Sequence, residues 1–149
     1  GYNPEMILAG RRLNDSMGSY VADQVSKLMT KKRIHVVDAN ILIMGLTFKE
    51  NCPDIRNTRV VDLVEEFNRF NCNVDVYDPW VSKDEAVHEY NIKPISKPIK
   101  GKYDAILLAV SHDQFKMLSV EQIRAYGKDS HVLYDIKYLL KANESDGRL

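Results

Sequence analysis

The chain has 149 residues, 44% of them hydrophobic, with 21 basic and 21 acidic side chains. That composition suffices for one domain with its own core, and zero formal net charge excludes a surface built as a whole for a polyanion, so no nucleic acid is expected as a partner. Two cysteines, Cys52 and Cys72, have neither the number nor the spacing of a disulfide framework or a zinc site. No apolar run reaches the roughly 18 residues of a membrane span, and no signal-peptide pattern is present. The expectation is a cytoplasmic protein with no membrane partner and no metal.

Asn3, Pro4 and Glu5 read as a helix start: a side-chain cap, a proline at the first helical position and an acid near the positive end of the dipole. Leu13, Met17, Tyr20 or Val21, Val25 and Leu28 then recur at three- and four-residue steps up to Lys31, Lys32 and Arg33, whose charges suit a helix C-terminus. A helix of that length spans on the order of 40 Å, more than the diameter expected for the residues that follow. It is expected to bridge two domains or to pair with a second copy. Gly10 and Gly18 each weaken it by about 1 kcal/mol relative to alanine, unless another backbone approaches closely there; two tolerated glycines on a solvated helix are the plainer reading.

From Ile34 the pattern changes to short apolar runs between turn residues. Strands are predicted over 41–44, 74–77, 92–95, 103–110 and 131–134. Helices are predicted over 60–70 with Asn57 or Thr58 as cap, over 82–90 with Ser82 as cap, at a turn over 114–118, and over 120–126. The polar tail from Asn143 is expected to fray. Alternating strands and helices predict an α/β fold: a Rossmann-like parallel sheet with helices on both faces, preceded by one long N-terminal helix. The division is 1–33 for the helix and 34–149 for the sheet domain.

Candidate chemistry gathers where predicted strands end, because ligands of open parallel sheets sit at that edge. The loop 45–59 joins the first strand to the first helix and carries Lys49, Arg56, Cys52, Pro53 and several acids. Gly45 is followed by Leu46, Thr47 and Phe48, without the second glycine of a G-x-G-x-x-G pyrophosphate turn. A phosphate would therefore be met by Lys49 and Arg56, aided by helix amides near Thr58; both side chains also fit as ordinary solvated loop cations. Asp78 falls where a ribose-binding acid would stand, although Asp78-Pro79 is also a common strand-ending turn. Cys52 is a weak candidate nucleophile, with no histidine near it in sequence and a loop-shaping proline beside it. His112 and Asp113 offer a hydrogen bond to a substrate or a cap for the following turn. Asp135 and Lys137 end the last predicted strand at the same rim, within reach of the Lys49 loop.

The run Gly45-Leu46-Thr47-Phe48-Lys49-Glu50-Asn51-Cys52-Pro53-Asp54-Ile55-Arg56-Asn57-Thr58 resembles the signature of the C-terminal domain of the UDP-glucose/GDP-mannose dehydrogenase family. Val76-Tyr77-Asp78-Pro79 and Tyr134-Asp135-Ile136-Lys137 resemble its later landmarks, and residues 4–17 resemble the central helix of the subgroup acting on UDP-N-acetylhexosamines. The resemblance implies an enzyme that oxidises the C6 hydroxymethyl of a nucleotide sugar to a carboxylate in two NAD-dependent steps, through a thiohemiacetal on a cysteine. For this subgroup that is UDP-N-acetylglucosamine oxidation for capsular or surface polysaccharide synthesis. It implies Phe48, Lys49 and Lys137 at the UDP-sugar, Arg56 at NAD, and a homodimer through the long helix. Lys137 stands where many members have arginine, which removes bidentate geometry. The glycine-rich NAD loop and the catalytic cysteine precede the central helix in this family, so the chain is expected to be a C-terminal fragment, inactive by itself, whose partner is the missing N-terminal NAD-binding domain. Cys52 does not inherit the catalytic role, and no catalytic residue is expected here. The alternative is a non-catalytic module that binds a UDP-sugar or a dinucleotide.

Overall fold

The computed structural model describes residues 17–149; the expected helix start at Asn3 to Glu5, Gly10 and most of the 4–17 motif lie outside them. Five parallel strands form one sheet in the order β2-β1-β3-β4-β5: β1 (Asn40–Met44), β2 (Asn73–Tyr77), β3 (Tyr103–Leu108), β4 (Gly127–Asp135) and β5 (Gly147–Arg148). The helices are α1 (Met17–Lys31), α2 (Val60–Arg69), α3 (Lys83–Tyr90), α4 (Asp113–Lys116) and α5 (Val120–Arg124). The Rossmann-like α/β sheet expected from the strand–helix alternation is the fold found.

Central strands are buried on both faces, and their side chains alternate between two cores as the pleat requires. Ile41, Ile43, Ala105, Leu107, Val132 and Tyr134 face α1 and α2. Leu42, Met44, Ile106, Leu108 and Leu133 face α4 and α5 through Phe115 and Ile123. Ile41 pairs with Val74 on one side and Ala105 on the other, so β1 has no exposed edge. The β3–β4 pairing is irregular between Tyr103 and Ala105, which is why the alternation in β4 shows only over its last half.

Helix α1 packs on the sheet through Val21, Ala22, Val25 and Met29, all fully buried; truncating one such side chain to alanine typically costs about 2–4 kcal/mol for the larger residues. Gly18 lies against α2 so closely that a Cβ there would sit 2.8 Å from Asp62 Cβ. The close backbone approach that excuses a helical glycine is therefore present at Gly18. Ser82 caps α3 by accepting from Glu85 N at 3.3 Å, and Asn91 closes it in the left-handed conformation at φ 55. Asn57 does not cap α2. Thr58 Oγ1 instead accepts from Val60 N at 3.3 Å, one turn-like step before the helix.

Two expectations fail. Residues 92–95 form no strand: Ile95 N donates to Val76 O at 2.9 Å, but Pro94 has no N–H to continue a ladder. Nor is the tail frayed. A 3-10 turn (Ala142–Glu144) leads into β5, whose Gly147 and Arg148 pair with Tyr134 and Asp135. Asp146 holds this segment down, accepting from Leu133 N at 2.7 Å, Arg124 at 3.2 Å and Lys32 at 3.1 Å. Gly147 fits because it lacks a side chain, a Cβ there being 2.8 Å from Leu28 Cδ1.

Candidate functional site

From β1 the chain runs to β2 on one side and later returns to β3 on the other. Loops leaving the carboxyl ends of β1 and β3 therefore diverge, and that divergence opens a crevice at the switch point of such sheets. A cleft of about 370 Å³ lies there. Its walls are residues 47–50 after β1, 57–60 at the start of α2, 109–111 after β3, and Ile136 and Lys137 after β4. Gly45 permits the opening turn: its φ is +110, and a Cβ would come 2.6 Å from Val110 Cβ.

Beneath the cleft a closed set of hydrogen bonds shapes the first loop. Asp78 Oδ2 accepts from Leu46 N at 2.6 Å and Thr47 N at 3.0 Å, and Oδ1 accepts from Trp80 N at 2.8 Å. His112, fully buried, completes the set with Nε2 2.9 Å from Asp78 Oδ2 and Nδ1 accepting from Asn51 N at 3.0 Å. An amide N–H can only donate, so the ring proton belongs on Nε2 and is given to Asp78. Burial by itself raises the pKa of Asp78; the His112 bond and the three amides outweigh it and hold the carboxyl below the usual carboxylate range.

Asp135 does the same for the last loop. Oδ1 accepts from Lys137 N at 3.2 Å and Leu139 N at 3.1 Å, and Oδ2 accepts from Leu140 N at 2.8 Å. The side chain is thus turned under its own loop and does not approach Lys49, contrary to the expectation from its place on the rim; Lys137 does line the same cleft as Lys49. Asp78 is likewise no ribose ligand in the folded chain, since both of its oxygens are engaged, and the turn reading is the correct one. His112 neither faces the cleft nor caps α4 with its side chain; it is a buried organiser of the loop.

Phe48 and Lys49 stand exposed at the mouth of the cleft. Arg56 does not line it: its side chain is 82% exposed and paired with Asp54, Nε to Oδ1 at 3.0 Å and a second nitrogen to Oδ2 at 3.2 Å. Those hydrogen bonds hold the Asp54 carboxyl below its ordinary pKa and raise that of Arg56. Cys52 is partly exposed, and Cys72 is buried, its thiol pushed up to about 11 by that burial. Cys72 is therefore no poised nucleophile. The amides of Leu46 and Thr47, which a dinucleotide pyrophosphate would need in this turn, are already taken by Asp78, so the β1–α2 turn does not fit NAD. Sequence reasoning missed the cleft contributions of Met17, Ser111 and Leu149; none carries a local signal, because each arrives from a different element.

The geometry defines a Rossmann-like domain with a ligand cleft at its switch point and no pyrophosphate turn of its own. The profile of the UDP-glucose/GDP-mannose dehydrogenase family, UDP binding domain, matches residues 42–142, and the chain belongs to that family. Over 149 residues it is 60% identical to a UDP-N-acetyl-D-glucosamine 6-dehydrogenase of Pseudomonas aeruginosa, covering all of this chain and 35% of that protein. It is 57% identical to the protein of that name from Salmonella typhi, with the same coverage. The chain thus spans about a third of the length of these relatives. Among solved structures, a UDP-N-acetylmannosamine dehydrogenase from Pyrococcus horikoshii superposes with a TM-score of 0.75 at 24% identity, over 99% of this chain and 34% of that one. An NDP-N-acetyl-D-galactosaminuronic acid dehydrogenase from Methanosarcina mazei gives 0.81 at 18% identity, over 97% and 30%. These two likenesses speak for the fold alone.

Proposed function

We propose that this chain is the UDP-sugar-binding part of an NAD-dependent UDP-N-acetylhexosamine 6-dehydrogenase, with UDP-N-acetylglucosamine as the substrate and capsular or surface polysaccharide as the destination. The observation that carries it is the charge of the cleft. The chain as a whole is neutral, yet among the described residues the cleft is lined by Lys49, Lys137 and Arg59, the last also facing Asp62 at 3.7 Å, with Glu50 as the one acidic side chain and the start of α2 among its walls. Cations and a helix N-terminus around a concave, partly apolar wall suit a nucleoside diphosphate. In this reading Lys49 and Lys137 meet the phosphates or sugar hydroxyls, and Phe48 supplies an apolar face. Identity of 57–60% over the whole chain to two UDP-N-acetyl-D-glucosamine 6-dehydrogenases supports the choice of sugar.

NAD supplies the hydride acceptor in such an oxidation, and its binding belongs to a further domain of the whole protein. Arg56, exposed outside the cleft, is the residue of this chain placed to reach a cofactor held elsewhere. Residues 1–33, ahead of the sheet, are the part through which two copies pair, and 34–149 is the binding domain; the whole protein works in the cytoplasm, and no described helix is long and apolar enough to cross a membrane. This chain contributes binding and orientation, not bond-making.

The test is calorimetric titration of the chain with UDP and with uridine. UDP binding that is lost with uridine and weakened in Lys49→Ala supports the reading; equal binding of uridine and UDP overturns it. A UDP-sugar-dependent NADH signal from this polypeptide alone would remove the division of labour.

A further inference from the structure

We propose that His112 is the positioning residue for Lys49: from beneath the loop it pins position 47 on one side of the lysine and position 51 on the other. The inference rests on the reading of the cleft as a UDP site for its affinity arm, and on the loop geometry alone for its dynamic arm.

The bonds converge on one short segment. His112 Nδ1 accepts from Asn51 N at 3.0 Å, and Asn51 Oδ1 accepts from Asp113 N at 3.0 Å, so Asn51 is clasped from both ends. Asn51 sits in the left-handed region at φ 54, a conformation that asparagine adopts more readily than most residues with a side chain. The Nε2 proton faces Asp78 Oδ2 at 2.9 Å and Thr47 Oγ1 at 3.2 Å. Thr47 Oγ1 in turn donates to the carbonyl of Lys49 at 3.0 Å. A continuous path thus runs from Asp78 through His112 and Thr47 to the backbone of Lys49. Two rings pack against His112, Phe115 edge-on with centroids 5.4 Å apart and Trp80 at 6.3 Å.

A buried histidine that merely satisfied its own polar atoms would need two partners anywhere. Here both nitrogens reach the same loop, straddling an exposed lysine whose ammonium has no hydrogen bond or ion pair among the described residues. Pre-ordering the backbone of a long, flexible side chain lowers the entropy lost when it meets a ligand.

His112→Asn and His112→Gln divide the clamp. The Asn carboxamide oxygen takes the place of Nδ1 and keeps the Asn51 bond but falls short of Asp78; the Gln carboxamide reaches Asp78 and Thr47 but leaves Asn51 N unpaired. The readout is hydrogen exchange at the Phe48 amide, which is bonded to Asp54 O at 2.7 Å and hydrogen-bonds to none of the partners of His112. Exchange there should quicken about tenfold or more relative to amides of β1 and β3 in both variants, and UDP affinity should fall about tenfold in both. Val25→Ala, a core variant far from the rim, lowers stability without changing either quantity. Thr47→Val cuts the same path while preserving shape, and it carries the exchange test if the histidine variants do not fold. Unchanged Phe48 exchange in the folded variants overturns the proposal, whatever UDP does. If the parent chain binds no UDP while Phe48 exchange rises as expected, the proposed function fails and the positioning role stands.

Discussion

Under the carboxyl rim of the sheet, Asp78, His112 and Asp135 are almost wholly buried, and both ring nitrogens and all four carboxylate oxygens are engaged. On top of the same rim, Phe48, Lys49, Arg56 and Lys137 stand in solvent. The buried set spends its polarity on loop backbone and has none left for a ligand. In the exposed set Lys49 and Lys137 have reach and charge but no fixed geometry of their own, while Arg56 is paired with Asp54. Each needs the other: the frame gives direction to side chains that would otherwise wander, and those side chains give the frame something to present. The two sets should therefore respond to substitution differently: stability falls with the first, whereas with Lys49 and Lys137 of the second affinity falls and stability does not.

The largest effect is expected for Asp78→Ala. It strands three backbone N–H groups and the His112 ring in a buried site, which should cost about 3–5 kcal/mol in urea unfolding. A loss below about 1 kcal/mol would mean that the frame is ornamental. Asp135→Asn is milder. Its carboxamide can still accept from one amide but opposes a donor to another, so about 2 kcal/mol should be lost, with the Lys137 loop exchanging faster by hydrogen–deuterium mass spectrometry.

Acid should act on Asp78 of the buried set and on the half-buried Asp146. Asp78 and Asp146 are held below their ordinary value of 3.8 in the folded state. For carboxylates depressed by folding, the unfolded state takes up protons first. Their stabilising contribution is thus full above the unfolded pKa and is lost as pH falls through the folded-state values. Thermal unfolding followed from about pH 5 downward should show stability dropping, and Asp146→Asn should make that drop shallower. An equally steep profile in the variant would show that other groups set the acid limit.

Substitutions in the exposed set come last. Lys49→Ala should leave stability within about 0.5 kcal/mol of the parent while weakening UDP binding about tenfold, the worth of one charge-assisted hydrogen bond. Lys137→Ala should weaken it about threefold, because a single flexible ammonium at the rim is partly screened. Unaltered binding in both would remove them from the site. Arg56→Ala should change neither the stability of this chain nor its UDP affinity, since its pair with Asp54 is exposed and outside the cleft; a UDP defect would show that Arg56 folds inward on binding.

Much of the frame was legible before the fold was seen. The continuous, β-branched run Ile41 to Met44 read as a strand covered on both faces, and the stripe Val60, Leu63, Val64, Phe67 as a helix lying on one, and both are found so. The absent second glycine after Gly45 already implied that no pyrophosphate turn would form there, and the Asp78 carboxylate now fills that place. What stayed hidden was short or assembled from afar. A two-residue strand such as β5 has no periodicity to read, and it exists because Asp146 ties it to Lys32, Arg124 and Leu133.

By itself, then, the sequence determined the alternation of strands and helices, the loop 45–59 as the place of interest, and the family, because hydrophobic period and local motifs are properties of neighbours along the chain. Only the tertiary structure decided which strand-end residues line the cleft. Asp78, His112 and Asp135 stood among the candidates at the same rim as Lys49 and Lys137, and nothing local separates a carboxylate turned under its loop from one turned outward. That choice was made by the strand order, which set the β1 and β3 loops apart to open the cleft and brought His112 up beneath Thr47 and Asn51.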